Sequence, residues 1–228
     1  MIGIVEFITL VFVGALCSLD TVSVAQAMIS RPIVSSTLGG AVLGQAPEGL
    51  VVGAVMELFA LETLPFGASR YPEWGAAGVA AAATYVIGGT GSPGSLAFAV
   101  LVGLTVAGLG SLSMVLLRRA IGRVAGEFRD ELAGGSSSAV MQLHVTGIAA
   151  DFWRGIIVSA VGVFIAFLAT ESVLARWNVA FGPSLAWPLI LATAVGVGAI
   201  TRCARPLGAL GYLGVGVAFG AVVLAVSG

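Results

Sequence analysis

The chain has 228 residues, of which 58% are apolar, a further 33 are glycine and only 9% are charged; its net charge is −1 and its mean hydropathy +1.09. Soluble domains carry about 25% charged residues, and a chain this size cannot face water all round with so few. This composition excludes a cytosolic enzyme and a disordered chain. Ten basic against eleven acidic residues create no field for polyanions, which excludes a nucleic-acid binder. The reading is an all-α integral membrane protein, a polytopic helix bundle in contact with lipid.

A spanning helix needs about 20 apolar residues. The first candidate is Ile2–Leu19, which lacks the positive flank and small-residue cleavage site of a secretory signal. From Asp20 to Gly89 the pattern changes. Its apolar runs, Pro32–Leu43, Gly49–Leu61 and Gly75–Ile87, are short and are separated by Arg31-Pro32, by Gln45–Gly49 and by Glu62–Trp74. Runs of about 10–14 residues read as re-entrant or broken segments, and transporters place solutes at such interruptions. The N-terminal third is therefore expected to be the working part.

Full-length spans resume at Ser95–Leu117, at Gly155–Ala169 with its flanks, at the slightly short Leu185–Ile200, and at Pro206–Val226. Between the first two lies a hydrophilic stretch bearing Arg118, Arg119, Arg123 and Arg129. Arginine excess marks the cytoplasmic side. With this stretch inside, alternation puts Arg202 and Arg205 inside as well, and Arg176 outside. The expected division is a membrane region 1–117 holding the substrate site, a cytoplasmic loop 118–140, and membrane helices 141–228. Gly40…Gly44, Gly49…Gly53 and Gly216…Gly220 have the small-xxx-small spacing that permits close helix approach.

Charged groups near mid-membrane are costly, about 2.5–3.5 kcal/mol on insertion scales. Glu57, flanked by Leu50–Met56 and Leu58–Leu61, is the clearest case. It faces a polar cavity, sits in an ion pair of the helix bundle, or is a neutral buried acid. Asp20 and Gln26 follow the first span, as interfacial caps or as ligands. Arg31 either snorkels or neutralises Asp20 or Glu57. The stretch Glu62–Gly75, with Gly67, Ser69, Arg70 and Glu73, is too polar for lipid and too aromatic for a solvated loop. Its carboxylates, hydroxyl and aromatic rings suit a sugar, and equally an amino acid or an ion; Tyr71 and Trp74 read as stacking platforms or interface anchors. The one histidine, His144, cannot form a multi-histidine metal site, Asp151 and Arg154 have the i,i+3 spacing of a local ion pair, and Cys17 and Cys203 have no metal or disulfide spacing. No nucleotide loop, GxSxG or zinc motif occurs, so no cofactor and no enzymatic activity are expected of the chain.

Leu19-Asp20, Gln26, Ser30–Val34, Leu38–Gly44, Gly49–Gly53 and Met56–Leu58 resemble the LD…RP…GxxLG…GxxxGxxxE core of the mannose/sorbose-family IIC subunits of the bacterial phosphoenolpyruvate-dependent phosphotransferase system. Gly67-Ala68 and Pro72-Glu73 stand where that family has Gly-Ala and Pro-Asp, and His144–Gly147 with Arg154-Gly155 are similar as well. The resemblance implies a subunit of the bacterial inner membrane that binds and moves a sugar without being phosphorylated. It implies a IID-type membrane partner, cytoplasmic IIA and IIB phosphocarriers and a trimeric assembly. It places the substrate region at Asp20, Arg31, Glu57 and Gly67–Glu73. The other functional class open to the residues is an ion- or proton-coupled transporter using Glu57, or a regulatory membrane subunit.

Overall fold

The computed structural model describes residues 3–24, 26–62, 71–92, 94–177 and 179–203. All regular structure among them is helical: α1 (Ile4–Asp20), α2 (Pro32–Val42), α3 (Ala46–Ala60), α4 (Trp74–Ile87), α5 (Ser95–Glu127), α6 (Arg129–Ala133), α7 (Ser137–Ser172), a 3₁₀ turn at Leu174–Arg176, and α8 (Phe181–Cys203). Pro206–Val226 lies outside the described residues, as do Gly67, Ser69 and Arg70.

Helix lengths sort the elements. At 1.5 Å per residue, α2, α3 and α4, with 11, 15 and 14 residues, reach about 16, 22 and 21 Å, less than the roughly 30 Å of a hydrocarbon core. Three helices among the described residues are long and apolar enough to cross a membrane: α5, α7 and α8. The short apolar runs thus form the interrupted helices expected of them.

The break between α2 and α3 has a local cause. Gly44 takes φ +71°, its N–H bonds Ala41 O at 3.0 Å, and Gln45 N–H reaches back to Gly40 O at 2.8 Å. This is the left-handed stop that glycine permits, and the proline that follows at Pro47 suits the first turn of α3. The two helices then pack as a hairpin through facing glycines. A Cβ on Gly40 would lie only 2.8 Å from Gly49 Cα, so the backbones touch where side chains are absent.

The most enclosed element is α4, whose residues Gly75–Tyr85 are all buried. Its apolar, alanine-rich surface is covered by α1, α2, α3, α5 and α7, as expected of a helix that is hydrophobic all round. The hydrophilic stretch 118–140 is mostly helical. Nothing in Arg118–Glu127 breaks a helix, so α5 runs on through it for 33 residues in total, α6 follows, and the chain reverses at Gly135 (φ +77°) into α7, where Ser136 Oγ accepts the Ala139 N–H.

Candidate functional site

Between α1 and α2 the described residues 21–24 and 26–31 form no regular helix and share a cavity with Tyr71, Pro72 and Trp74 at the start of α4. Asp20, the last residue of α1 and 3% exposed, organises them. Its Oδ1 accepts the Ala27 N–H at 2.6 Å, and its Oδ2 accepts the N–H of Ser30 at 3.0 Å and the Ser30 hydroxyl at 3.1 Å. These bonds hold two non-glycine residues in the left-handed region, Gln26 (φ 50°) and Met28 (φ 65°). Such conformations persist only where the surroundings enforce them, and they concentrate at functional sites.

Arg31 ends this segment and turns toward α3. Its Nε donates to Glu57 Oε1 at 2.6 Å, and its Nη2 pairs with the same oxygen. The other carboxylate oxygen, Oε2, accepts the Ile33 N–H at 3.2 Å. Ile33 lies in the first turn of α2, where backbone N–H groups lack helical partners and an anion is favoured. Glu57 thus ties α3 to the start of α2 and fixes Arg31.

A cavity of about 450 Å³ opens beside the segment. One side is formed by Asp20, Thr21, Gln26, Ser30 and Arg31, the other by Tyr71, Pro72 and Trp74. Among the described residues the buried Thr21 hydroxyl has no hydrogen-bond partner. Donors, acceptors and two aromatic rings around a void of this size are what a small polar solute needs. Asp20, Gln26 and Arg31, expected from the sequence to work together, do come together here. Glu57 is placed behind Arg31, outside the cavity lining. Thr21 was not singled out from the sequence, because an isolated hydroxyl in a short polar stretch carries no periodic or motif signal, and Ser30 entered only as the first residue of the family-like Ser30–Val34 run.

Glu73 behaves differently. It is 2% exposed and turned away from the cavity, with Oε2 accepting Arg154 Nη2 at 2.7 Å. Arg154 also donates to Asp151 Oδ1 at 2.7 Å and to Ser113 Oγ at 3.2 Å, and the Ser23 hydroxyl bonds Asp151 Oδ2. The i,i+3 pair expected on α7 is therefore part of a buried network reaching α4, α5 and the end of α1. Asp151 and His144 line a second cavity of about 510 Å³, toward the arginine-rich end of α5 and α7. Among the described residues no group of three or more histidine, cysteine or acidic side chains is placed to hold a metal ion.

Comparison with known proteins locates the chain among relatives. The family model described as the PTS system sorbose-specific IIC component matches residues 4–182. The PTS system sorbose-specific EIIC component of Klebsiella pneumoniae is 30% identical over 88 residues, which is 39% of this chain and 32% of that protein, so the match spans about a third of the relative's length. A solved chain described as a membrane protein superposes with a TM-score of 0.76 at 17% identity, covering 100% of this chain and 95% of its own. A chain from the cryo-electron-microscopy structure of the mannose transporter ManYZ with microcin E492 superposes at 0.62, also 17% identical, covering 99% and 94%. At such identities the two structures speak for a shared fold.

Proposed function

The chain belongs to the family of sorbose-specific IIC components of the phosphotransferase system, and from that premise we propose that it is the sugar-translocating membrane subunit of a mannose/sorbose-type permease. The observation that carries this reading is the cavity of about 450 Å³ at the interruption between α1 and α2, with polar groups on one wall and Tyr71 and Trp74 on the other. Arg31, Gln26, Thr21 and Ser30 are assigned to the solute's hydroxyls, and the two aromatic rings to its apolar face. Asp20 and Glu57 shape the walls, through the 26–30 segment and through Arg31 respectively. Gly67, at the family's Gly-Ala, belongs to the same proposed site by position in the motif, and Ser69 and Arg70, which are not part of that motif, by lying in the Gly67–Glu73 stretch.

Phosphoryl transfer is assigned to cytoplasmic IIA and IIB carriers, with a IID-type subunit beside this one in a trimeric assembly of the bacterial inner membrane. The arginine-bearing turn between α5 and α7 would face those carriers. It lies at the opposite end of α7, about 54 Å at 1.5 Å per residue, from Arg176, and arginine-rich ends favour the cytoplasm. The division into 1–117, 118–140 and 141–228 follows this reading, with Asp151 and Arg154 of the last region supporting the site in the first. A proton-coupled mechanism through Glu57 has less support, because its carboxylate is held by Arg31 and by the start of α2.

The test is phosphoenolpyruvate-dependent uptake of labelled L-sorbose and D-mannose into membrane vesicles that contain this chain and its carriers. Uptake that requires both the chain and phosphoenolpyruvate is expected. Uptake driven by a proton gradient alone would overturn the reading.

A further inference from the structure

Arg154 lies outside the solute cavity, 7% exposed, with its guanidinium divided among Glu73, Asp151 and Ser113. Both walls of the cavity lead back to it. Residues 71–73 are non-helical, and Tyr71 and Trp74 face the cavity while Glu73, between them, reaches the other way to Arg154. On the opposite wall Thr21 and Val22 face the cavity, and the next residue, Ser23, is bonded to Asp151. Asp151 and Arg154 stand one turn apart on α7 and are themselves paired.

Close packing limits any rearrangement around this node. A Cβ on Gly110 of α5 would overlap the Glu73 side chain, one on Gly155 would come within 3.1 Å of Ala15 Cα, and one on Gly75 within 2.6 Å of the Cys17 carbonyl carbon. Dense interiors of this kind transmit displacement rather than absorb it. Buried ion pairs add little stability over apolar residues of the same volume. Their use here is geometric, since a planar guanidinium serves several acceptors at fixed angles and an ammonium does not.

Resting on the permease reading, we propose that Arg154 is a positioning residue of the solute site: through Glu73 and Asp151 it sets the separation of the Tyr71–Trp74 and Thr21–Ser23 walls, and thereby which sugar the cavity prefers. Arg154 touches no solute. Small displacements of a wall are enough to matter, because solute preference rests on a few polar groups placed against hydroxyls at hydrogen-bond distance.

Three variants of the full chain test this: Arg154→Lys, Glu73→Asp and Ser23→Ala. Affinities for L-sorbose, D-mannose and D-glucose are measured by calorimetry in detergent, alongside melting temperature. Ser23→Ala, which removes one hydroxyl donor from the buried Asp151 carboxylate, is expected to lower the melting temperature by a few degrees without unfolding the chain, while the ratio of affinities among the sugars changes at least threefold. Arg154→Lys is expected to weaken binding about tenfold, because an ammonium does not reproduce the guanidinium's fixed-angle contacts, and Glu73→Asp to fall between them. Unchanged ratios in both Ser23→Ala and Glu73→Asp overturn the proposal, even if Arg154→Lys fails to fold. A second measurement stands independently of any sugar. Spin labels at Val22→Cys and Tyr71→Cys, with Cys17→Ala and Cys203→Ala, report the distance between the walls. A broadened or shifted distribution in Ser23→Ala is expected, and a wild-type distribution overturns the brace. If the wild type binds none of the three sugars, the permease reading fails, while the same distance measured in Arg154→Lys still decides the role of Arg154.

Discussion

Replacing Asp20 by asparagine isolates the force that shapes the cavity wall. The native carboxylate accepts three hydrogen bonds, two from the backbone of Ala27 and Ser30 and one from the Ser30 hydroxyl. Hydrogen bonds to a charged group contribute about 1.5–3 kcal/mol each. Against them stand two left-handed residues, Gln26 and Met28, each strained by about 1–2 kcal/mol. The carboxylate therefore outweighs the strain, but only while most of its bonds are intact. Asparagine keeps the shape and one oxygen, and turns its NH₂ toward N–H donors on the other side. Loss of one such bond, about 1.5–3 kcal/mol, corresponds to roughly 10- to 100-fold faster hydrogen exchange. The measurement is amide exchange at Ala27 and Ser30 in detergent, one or both of which should lose protection by that factor. Adding Met28→Gly, which relieves one strained residue at an exposed position, should restore part of it. Wild-type protection at both amides in Asp20→Asn would refute the account, and the 26–30 segment would have to be held by something else.

Glu57→Gln should lower unfolding free energy by about 1–2 kcal/mol, as a partly exposed charge-assisted contact and a helix-start interaction are weakened, while solute affinity stays within about tenfold of wild type; total loss of binding at an unchanged melting temperature would make the carboxylate a direct ligand. Gln26→Ala, at an exposed position on the cavity wall, should remove one neutral hydrogen bond of about 0.5–1.5 kcal/mol and weaken solute binding about two- to tenfold without changing thermal stability. Gly49→Ala would bring a Cβ within 3.0 Å of Gly40 Cα and should destabilise the α2–α3 hairpin by about 1–3 kcal/mol. Gly122→Ala, which meets nothing within 4 Å, should be neutral or stabilise by about 0.5–1 kcal/mol. Equal melting temperatures for these two glycine variants would remove the packing argument.

Much of the architecture follows from run length alone. The apolar stretches around Pro32, Gly49 and Gly75 are too short to span, and α2, α3 and α4 are correspondingly short. The loop implied by Arg118–Ser138 proved mostly helical. Hydropathy reports where lipid ends, whereas a helix ends where the backbone is broken, and between Arg118 and Ser138 the chain supplies a left-handed glycine only at Gly135. The burial of α4 was not legible either, because an apolar run reads the same whether lipid or protein surrounds it. Gly78 and Gly110, at which a Cβ would collide with Ser35 and Glu73, mark contacts that exist only once the helices have met.

The candidate site divides in the same way. Intramembrane acids are expensive, so Glu57 announced itself as a residue with a partner or a cavity, Asp20 and Glu73 stood out only as a cap-or-ligand residue and as part of a polar stretch, and the interruptions around them announced a polar locus. Which partner each acid takes was decided by tertiary structure: Asp20 holds its own downstream backbone, Glu57 holds Arg31 and the start of α2, and Glu73 crosses to Arg154 on α7, 81 residues away. A sequence determines the cost of leaving a buried charge unpaired, which depends on the residue and its immediate neighbours. It does not by itself determine the match, because that depends on which donors distant helices bring within about 3 Å, a distance set by packing around α4.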